Sequence, residues 1–173
     1  METGRYFTSA SLLTHYLKEQ KIYNPGGKAV ALISGVTFPV ESNREHVDTI
    51  IARLTAAGYN VYPLTARGPI REKLLKETNP DAIVYFPMGR LGNDSIINWC
   101  YDRNIPLFTP FPLTMSREDW LNADKALSGG SLNARVVIPE IDGAMSPICV
   151  ATQRTTPEGL IVSQAERERG DAF

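Results

Sequence analysis

Two carboxylates, Glu140 and Asp142, are separated by a single residue in the segment Ile-Pro-Glu-Ile-Asp-Gly-Ala that begins at Ile138. In an extended chain, side chains at this spacing point to the same face. A carboxylate pair in a cleft can take protons from a ligand or bind a divalent cation. Val136 to Ile138 predict a strand before the pair. Asp142-Gly143 is typical of a tight turn, so a hairpin edge without chemistry is the simpler alternative.

A second group of candidates lies in three predicted loops that follow strands, at residues 35–43, 87–93 and 109–116. In open α/β sheets, ligands usually bind in the crevice beyond the carboxyl ends of the strands. Free N–H groups at helix starts there could hold a carboxylate or a phosphate. Alternatively, Ser42 and Asn93 only cap helices. The candidate binding residues are Thr37, Glu41, Ser42, Asn43, Arg44, Arg90 and Asn93, with Asp94 on the same rim.

Other chemistries find little support. Gly26-Gly27-Lys28 precedes a predicted strand, whereas a phosphate-binding P-loop follows one, and no GxGxxG motif follows the first strand. Direct binding of ATP or a dinucleotide is therefore not expected. His15 and His46 lack a ligand partner four residues on, and we predict surface or capping histidines. Two cysteines, far apart and each in an apolar run, predict buried reduced thiols.

Composition favours a globular protein without a nucleic-acid partner. The 173 residues carry a formal net charge of -1, with 43% hydrophobic and 21% charged residues. A nucleic-acid binder would show a basic face instead. No stretch reaches the roughly 20 apolar residues that span a bilayer, and no signal-peptide pattern opens the chain. We therefore expect a cytoplasmic protein.

The elements that must position these residues alternate between strand and helix. Predicted strands at 28–34, 60–64, 81–86 and 105–108 are separated by helices, the first of which follows a capping box of Ser42 and Glu45. Gly68-Pro69 and Asn93 begin the next two helices, and an earlier helix covers about 8–22. This alternation predicts a Rossmann-like, periplasmic-binding-protein-like three-layer α/β domain with a mainly parallel sheet.

The character of the sequence changes after Pro112. Ser116 is predicted to cap a helix, and strands are predicted at 136–138, 147–151 and 159–162. We accordingly divide the chain into a Rossmann-like βα domain at 1–115 and a helix with a β-hairpin extension at 116–173. The charged residues 165–170 lack an apolar face, which predicts continuation into a further domain.

Several of these motifs together resemble the CobN/magnesium-chelatase large-subunit family. They are Ser116-x-x-x-Trp120 with an E-x-W helix, the break Leu127-Ser-Gly-Gly-Ser-Leu132, and the Pro-Glu-x-Asp-Gly signature within 134–144, followed by Pro147-Ile. The strands around Asp81 and Ile105 are similar to the same family's periplasmic-binding-protein-like segment. The resemblance covers residues from about 28 to 151.

The resemblance implies a domain of the tetrapyrrole-binding subunit of an ATP-dependent cobaltochelatase, a ligase of cobalamin biosynthesis. Its substrates would be Co2+ and a corrin precursor such as hydrogenobyrinic acid a,c-diamide, while separate AAA+ subunits would use ATP. Glu140 matches the glutamate of the motif and would deliver metal or accept pyrrole N–H protons. Asp142, the second catalytic candidate, would be its partner or an orienting group.

Three alternatives stay open. The first is a magnesium chelatase domain, with Mg2+ and a porphyrin as substrates. The second is a module that binds a small ligand without chemistry, and the third is a docking module whose loops contact the AAA+ partner. In the chelatase reading, the isolated domain is expected to be inactive.

Overall fold

A computed structural model describes residues 7–34, 44–125, 127–145, 147–159 and 161–165. Its first half alternates helix and strand. In chain order these elements are α1 (Ala10–Glu19), β1 (Ala29–Ile33), α2 (Glu45–Ala56), β2 (Asn60–Pro63), α3 (Gly68–Thr78), β3 (Ala82–Tyr85), α4 (Asp94–Asp102) and β4 (Leu107–Phe108). The second half contains β5 (Phe111–Ser116), α5 (Arg117–Asn122), α6 (Gly129–Leu132), α7 (Ile138–Ile141), β6 (Cys149–Thr155) and β7 (Ile161–Ala165).

The first four strands form one parallel sheet in the order β2-β1-β3-β4. Alternate residues of β1 face opposite layers, as the period of a strand requires. Ala31 and Ile33 pack with α3 and α4, and Leu32 packs with α2. Tyr62 of β2 faces the same side as Ala31 and packs with α1. The predicted three-layer α/β fold with a mainly parallel sheet is confirmed.

Amide hydrogen bonds fix the entrance to β1. The buried Asn60 side chain donates to the carbonyls of Asn24 and Gly27 at 2.8 and 2.9 Å, and accepts from the Asn24 N–H at 2.9 Å. Asn24 in turn donates to the Gly58 carbonyl at 2.8 Å. Two turns distant in sequence therefore interlock at the amino edge of the sheet.

A second sheet, in the order β5-β6-β7, continues from the first. Met145 forms a parallel bridge with Phe108 of β4, and the Phe111 N–H then donates to Ile148 at 2.9 Å. These contacts connect the end of the first sheet to the start of the second. β7 contacts α2, and Val150 of β6 packs on the Leu32 side of the first sheet.

Two predicted elements are wrong. Residues 109–116 are not a loop, since β5 occupies most of them. Residues 136–138 are not a strand: α6, a π-helical turn (Asn133–Val137) and α7 make one continuous helix over residues 129–141, hereafter the composite helix. A short apolar run is compatible with either state. Here Val136 is placed by packing with Phe111, Leu113 and Cys149.

Several smaller predictions are confirmed. The side chains of Asn93 and Ser116 cap α4 and α5, and both cysteines are free and buried. Ser42, the first residue of the predicted capping box, lies outside the described residues, and Arg44 precedes α2 without a side-chain cap. The division at residue 115 stays a prediction. None of the described helices combines the length and apolar composition needed to cross a bilayer.

Candidate functional site

The carboxyl ends of β1 and β3 lie side by side at the point where the strand order reverses. The chain moves from β1 outward to β2 and then returns to β3 on the other side of β1, so the strand order reverses between β1 and β3. Such a switch point is where open α/β sheets bind ligands. The loop after β1 contains the candidates Thr37, Glu41, Ser42 and Asn43, which lie outside the described residues. The loop after β3 contains Arg90.

Arg90 joins this loop to the end of the composite helix. Its Nε and Nη2 donate to the Asp142 carboxylate at 3.0 and 2.9 Å, and its Nη1 lies 2.7 Å from Asp94. The Asp142 side chain is only 4% exposed. The hydrogen bonds that Arg90 donates to the carboxylates of Asp142 and Asp94 raise the pKa of Arg90. A second link, from the Gly89 N–H to the Ala134 carbonyl at 2.9 Å, holds the loop along the composite helix.

The two carboxylates of the Pro-Glu-Ile-Asp-Gly segment do not share a face, as an extended chain would have required. Glu140 is exposed on α7, whereas Asp142 ends that helix and turns inward to Arg90. Main-chain hydrogen bonds explain the difference. The Gly143 N–H donates to the main-chain carbonyl of Glu140 and the Ala144 N–H to that of Pro139, and Gly143 has a φ of 81°. This is a Schellman helix cap, so Asp-Gly ends a helix instead of forming a hairpin.

Glu140 stands on an exposed apolar face. Val137, Glu140 and Ile141 follow one another at helical spacing, and the side chains of Val137 and Ile141 are 40% and 79% exposed. Met88, in the loop held against the composite helix, is 78% exposed. Within the described part of the chain, the Glu140 side chain has no hydrogen bond or ion pair. This carboxylate is therefore available to a ligand, and Asp142 is already engaged.

Two further candidates of the rim serve their own helices. The Asn93 side chain accepts the Ile96 N–H at 3.1 Å, as the capping alternative predicts. Arg44 donates twice to Asp48, at 2.8 Å each. Arg90 is thus the rim candidate that pairs with both Asp94 and Asp142, whereas the Asn93 side chain caps α4 and Arg44 pairs within α2.

Sequence reasoning missed two buried polar groups near this edge. His46, predicted to be a surface or capping histidine, is 4% exposed, and its ring meets Phe86 edge-on at 5.1 Å. Among the described residues, neither His46 Nδ1 nor the Tyr85 hydroxyl has a hydrogen-bond partner. Burial, with a contribution from Asp142, raises the pKa of Tyr85, so its hydroxyl keeps its proton. The sequence placed Tyr85 at the end of a predicted strand and His46 in the first turn of a predicted helix, and neither position by itself indicated burial.

Burial should make His46 a source of acid sensitivity. Burial lowers the pKa of His46 from its ordinary value of 6.5, against the opposing charges of Asp48 and Glu45. The unfolded chain therefore binds the proton more readily, and stability should fall as pH drops below about 6.5, by at most about 1.4 kcal/mol per pH unit. Urea unfolding at a series of pH values should show this slope reduced in His46→Gln.

The exposed His15 provides the matched control. Its side chain is 74% exposed and contacts solvent in both states, so His15→Gln should keep the slope of the unchanged chain. An equal slope in His46→Gln and the unchanged chain would show that His46 does not cause the acid sensitivity.

Two hollows accompany the site. A cleft of about 300 Å3 lies between the start of α3 and the loop after β3, and an open depression of about 410 Å3 lies beside α1 and the end of α3. Arg90 does not line the larger hollow. Across the described ranges, no group of three or more His, Cys, Asp or Glu side chains is arranged to hold a metal ion.

Comparison with known proteins identifies the family. The model of the CobN/Magnesium Chelatase family matches residues 1–173. The solved structure of the catalytic subunit of cobaltochelatase from Mycobacterium tuberculosis is similar, with a TM-score of 0.61 and 22% identity over 83% of this chain. The match spans 14% of that larger protein, and it shows the shared fold. No curated protein matches. Because the family model covers the sequence from end to end, the chain belongs to the CobN/magnesium chelatase family.

Proposed function

We propose that this chain forms one wall of a tetrapyrrole site in a cobaltochelatase large subunit and assists the insertion of Co2+ into a corrin precursor. The observation that carries the proposal is the family match over residues 1–173. The matched structure is a cobaltochelatase catalytic subunit, which favours cobalt over magnesium. The exposed face around Glu140 supports the composite helix as the contact surface.

A macrocycle requires an apolar surface and a proton acceptor. Val137, Ile141 and Met88 offer exposed apolar side chains that a flat ring could cover. Insertion of a divalent metal displaces the N–H protons of the ring, and a carboxylate at the contact surface can accept a proton. Glu140 lies one helical turn from Val137 and next to Ile141, so it takes this role in the proposal. It would also guide the incoming Co2+, which is a substrate.

Arg90 would support this surface without touching the ring. By holding Asp142 and the loop after β3, it fixes the end of the helix that carries Glu140. The sequence has no P-loop, so energy from ATP would come from separate AAA+ subunits. In this proposal Asp142 positions the helix and has no part in proton transfer.

Absorbance titration tests the proposal. Hydrogenobyrinic acid a,c-diamide and protoporphyrin would be added to the chain, alone and within the intact chelatase. We expect a shifted corrin spectrum, and binding weakened about tenfold or more by Ile141→Ser, because that change removes apolar contact area. Ile161→Ser, at another exposed isoleucine on β7, is the control.

Two results would contradict the proposal. One is an intact chelatase that binds no tetrapyrrole. The other is unchanged binding in Ile141→Ser, which would place the macrocycle elsewhere. A preference for protoporphyrin would instead favour the magnesium branch of the family.

A further inference from the structure

Arg71 lies in a cleft that the proposed tetrapyrrole surface does not use. The cleft, of about 300 Å3, is bounded by the start of α3 and by residues 90–93 of the loop after β3. It opens at the carboxyl edge of the sheet, where β2 and β3 end. Pockets that enclose a drug-sized molecule begin near this volume, so a whole macrocycle does not fit. A small group does.

The guanidinium of Arg71 has unused donors. Its Nε donates to the Ala66 carbonyl at 2.8 Å and its Nη1 to the Leu91 carbonyl at 3.1 Å. A guanidinium has five N–H groups, so three are left. No carboxylate pairs with Arg71 among the residues that the structure describes. The two carbonyl contacts hold the half-buried side chain in place. The guanidinium therefore lines the cleft in a fixed orientation, with its remaining N–H groups unused.

The neighbouring charges are already compensated. Arg90 pairs with Asp142 and Asp94, and the Glu72 carboxylate lies 2.8 Å from Lys76. Burial lowers the pKa of Arg71, and the nearby charge of Arg67 lowers it further. An anion bound beside Arg71 would oppose both effects. The guanidinium still stays protonated, because its ordinary pKa is above about 12.

The surroundings suit an anion of single charge. α3 begins without a side-chain cap and has no acidic residue in its first turn, so its positive end adds to the field of Arg71. Glu72 on the cleft wall would oppose a dianion more than a monoanion. A carboxylate accepts two parallel hydrogen bonds from a guanidinium, which is the pairing that Arg71 lacks.

We propose that this cleft is a carboxylate-binding site with Arg71 as its anchor. This inference rests on the proposed function for its natural ligand, an acetate or propionate arm on the rim of the tetrapyrrole. The loop after β3 connects the two places, since Arg90 contacts the composite helix while Leu91 and Gly92 line the cleft. A macrocycle on the composite helix would thereby be held at its edge.

Amide chemical shifts of the 15N-labelled chain test the site directly. Sodium propionate and sodium phosphate would be added at matched ionic strength, with sodium chloride as reference. We expect saturable shifts at amides 70–72 and 91–93 with propionate and weaker ones with phosphate. Arg71→Met should abolish the propionate shifts, and Arg71→Lys, which keeps the charge but loses the fork, should restore them in part.

The control variant is Arg53→Met, which removes an exposed arginine from the last turn of α2. The spectra also report whether each variant is folded. If Arg71→Met perturbs the fold, the comparison of Arg71→Lys with the unchanged chain decides. Unsaturable propionate shifts in the unchanged chain, or equal propionate binding in Arg71→Lys and the unchanged chain, would overturn the site. Stronger phosphate binding would overturn the choice of carboxylate.

Tetrapyrrole binding separates the two proposals. We expect Arg71→Met to weaken the binding of hydrogenobyrinic acid a,c-diamide about tenfold or more, which is the effect of losing a charge-assisted hydrogen bond. Saturable propionate binding at Arg71 without any tetrapyrrole binding would sink the proposed function alone. Tetrapyrrole binding unchanged by Arg71→Met would sink the present inference and leave the proposed function standing.

Discussion

Replacing Glu140 by glutamine in the intact chelatase is expected to reduce the rate of cobalt insertion by about 10²- to 10⁴-fold, the usual contribution of a positioned proton acceptor. Glutamine keeps the size of the side chain and removes its basicity. Because the Glu140 side chain is exposed and forms no hydrogen bond or ion pair within the described residues, the fold should be unaffected. Steady-state formation of the cobalt corrin, followed by absorbance, measures the effect.

Glu118→Gln supplies the comparison. Glu118 is also an exposed carboxylate near a helix, in the first turn of α5, so the change alters net charge equally. We expect it to retain activity. Circular dichroism should show native unfolding temperatures for both variants. Full activity in Glu140→Gln would remove Glu140 from the mechanism and leave the apolar face as a binding surface only.

The Gly27→Ala change should cause a large loss of stability. A methyl group at Gly27 would lie 2.3 Å from the Gly58 carbonyl oxygen and 2.9 Å from Asn24 Nδ2. The carbonyl is main chain, and Asn24 and Asn60 hold both turns together through hydrogen bonds. The clash with the added methyl group can therefore be relieved only if the two turns move apart. We expect a loss of at least about 1–3 kcal/mol in the free energy of unfolding, the usual cost of overpacking.

The neighbouring glycine provides a matched control. A methyl group at Gly26 would meet only Asn24 Oδ1 at 3.9 Å, an ordinary contact. Gly26→Ala should therefore change the free energy of unfolding by much less than Gly27→Ala in the same urea titration. Similar losses in the two variants would mean that the interlock between the turns at 24–27 and 58–60 does not limit stability.

The sequence was sufficient to predict the parallel sheet. Each strand is a short apolar run between turn residues, and each predicted cap at Asn93 and Ser116 depends on atoms within three residues. Connections this short leave a βαβ arrangement as the main solution. The family motifs within 116–144 are local as well, and the family match bears out the resemblance that they predicted.

Local sequence signals failed where the same residues are compatible with two different structures. Asp-Gly suits both a hairpin turn and a helix end, and the bonds from Gly143 and Ala144 to the composite helix decided for the helix end. Val136 and Val137 are β-branched, yet the packing of Val136 on β5 and β6 overrode that preference. The prediction that Glu140 and Asp142 share a face was wrong because it assumed an extended chain, whereas the segment is the end of a helix.

The sequence by itself determined the elements, their alternation and the family, because those depend on residues close together along the chain. Only the tertiary structure decided that Arg90 engages Asp142 across 52 positions and that His46 is buried. It also decided that Arg71 keeps donors free within a cleft. Each outcome depends on which distant groups meet when the helices pack on the sheet, and local spacing does not specify such meetings.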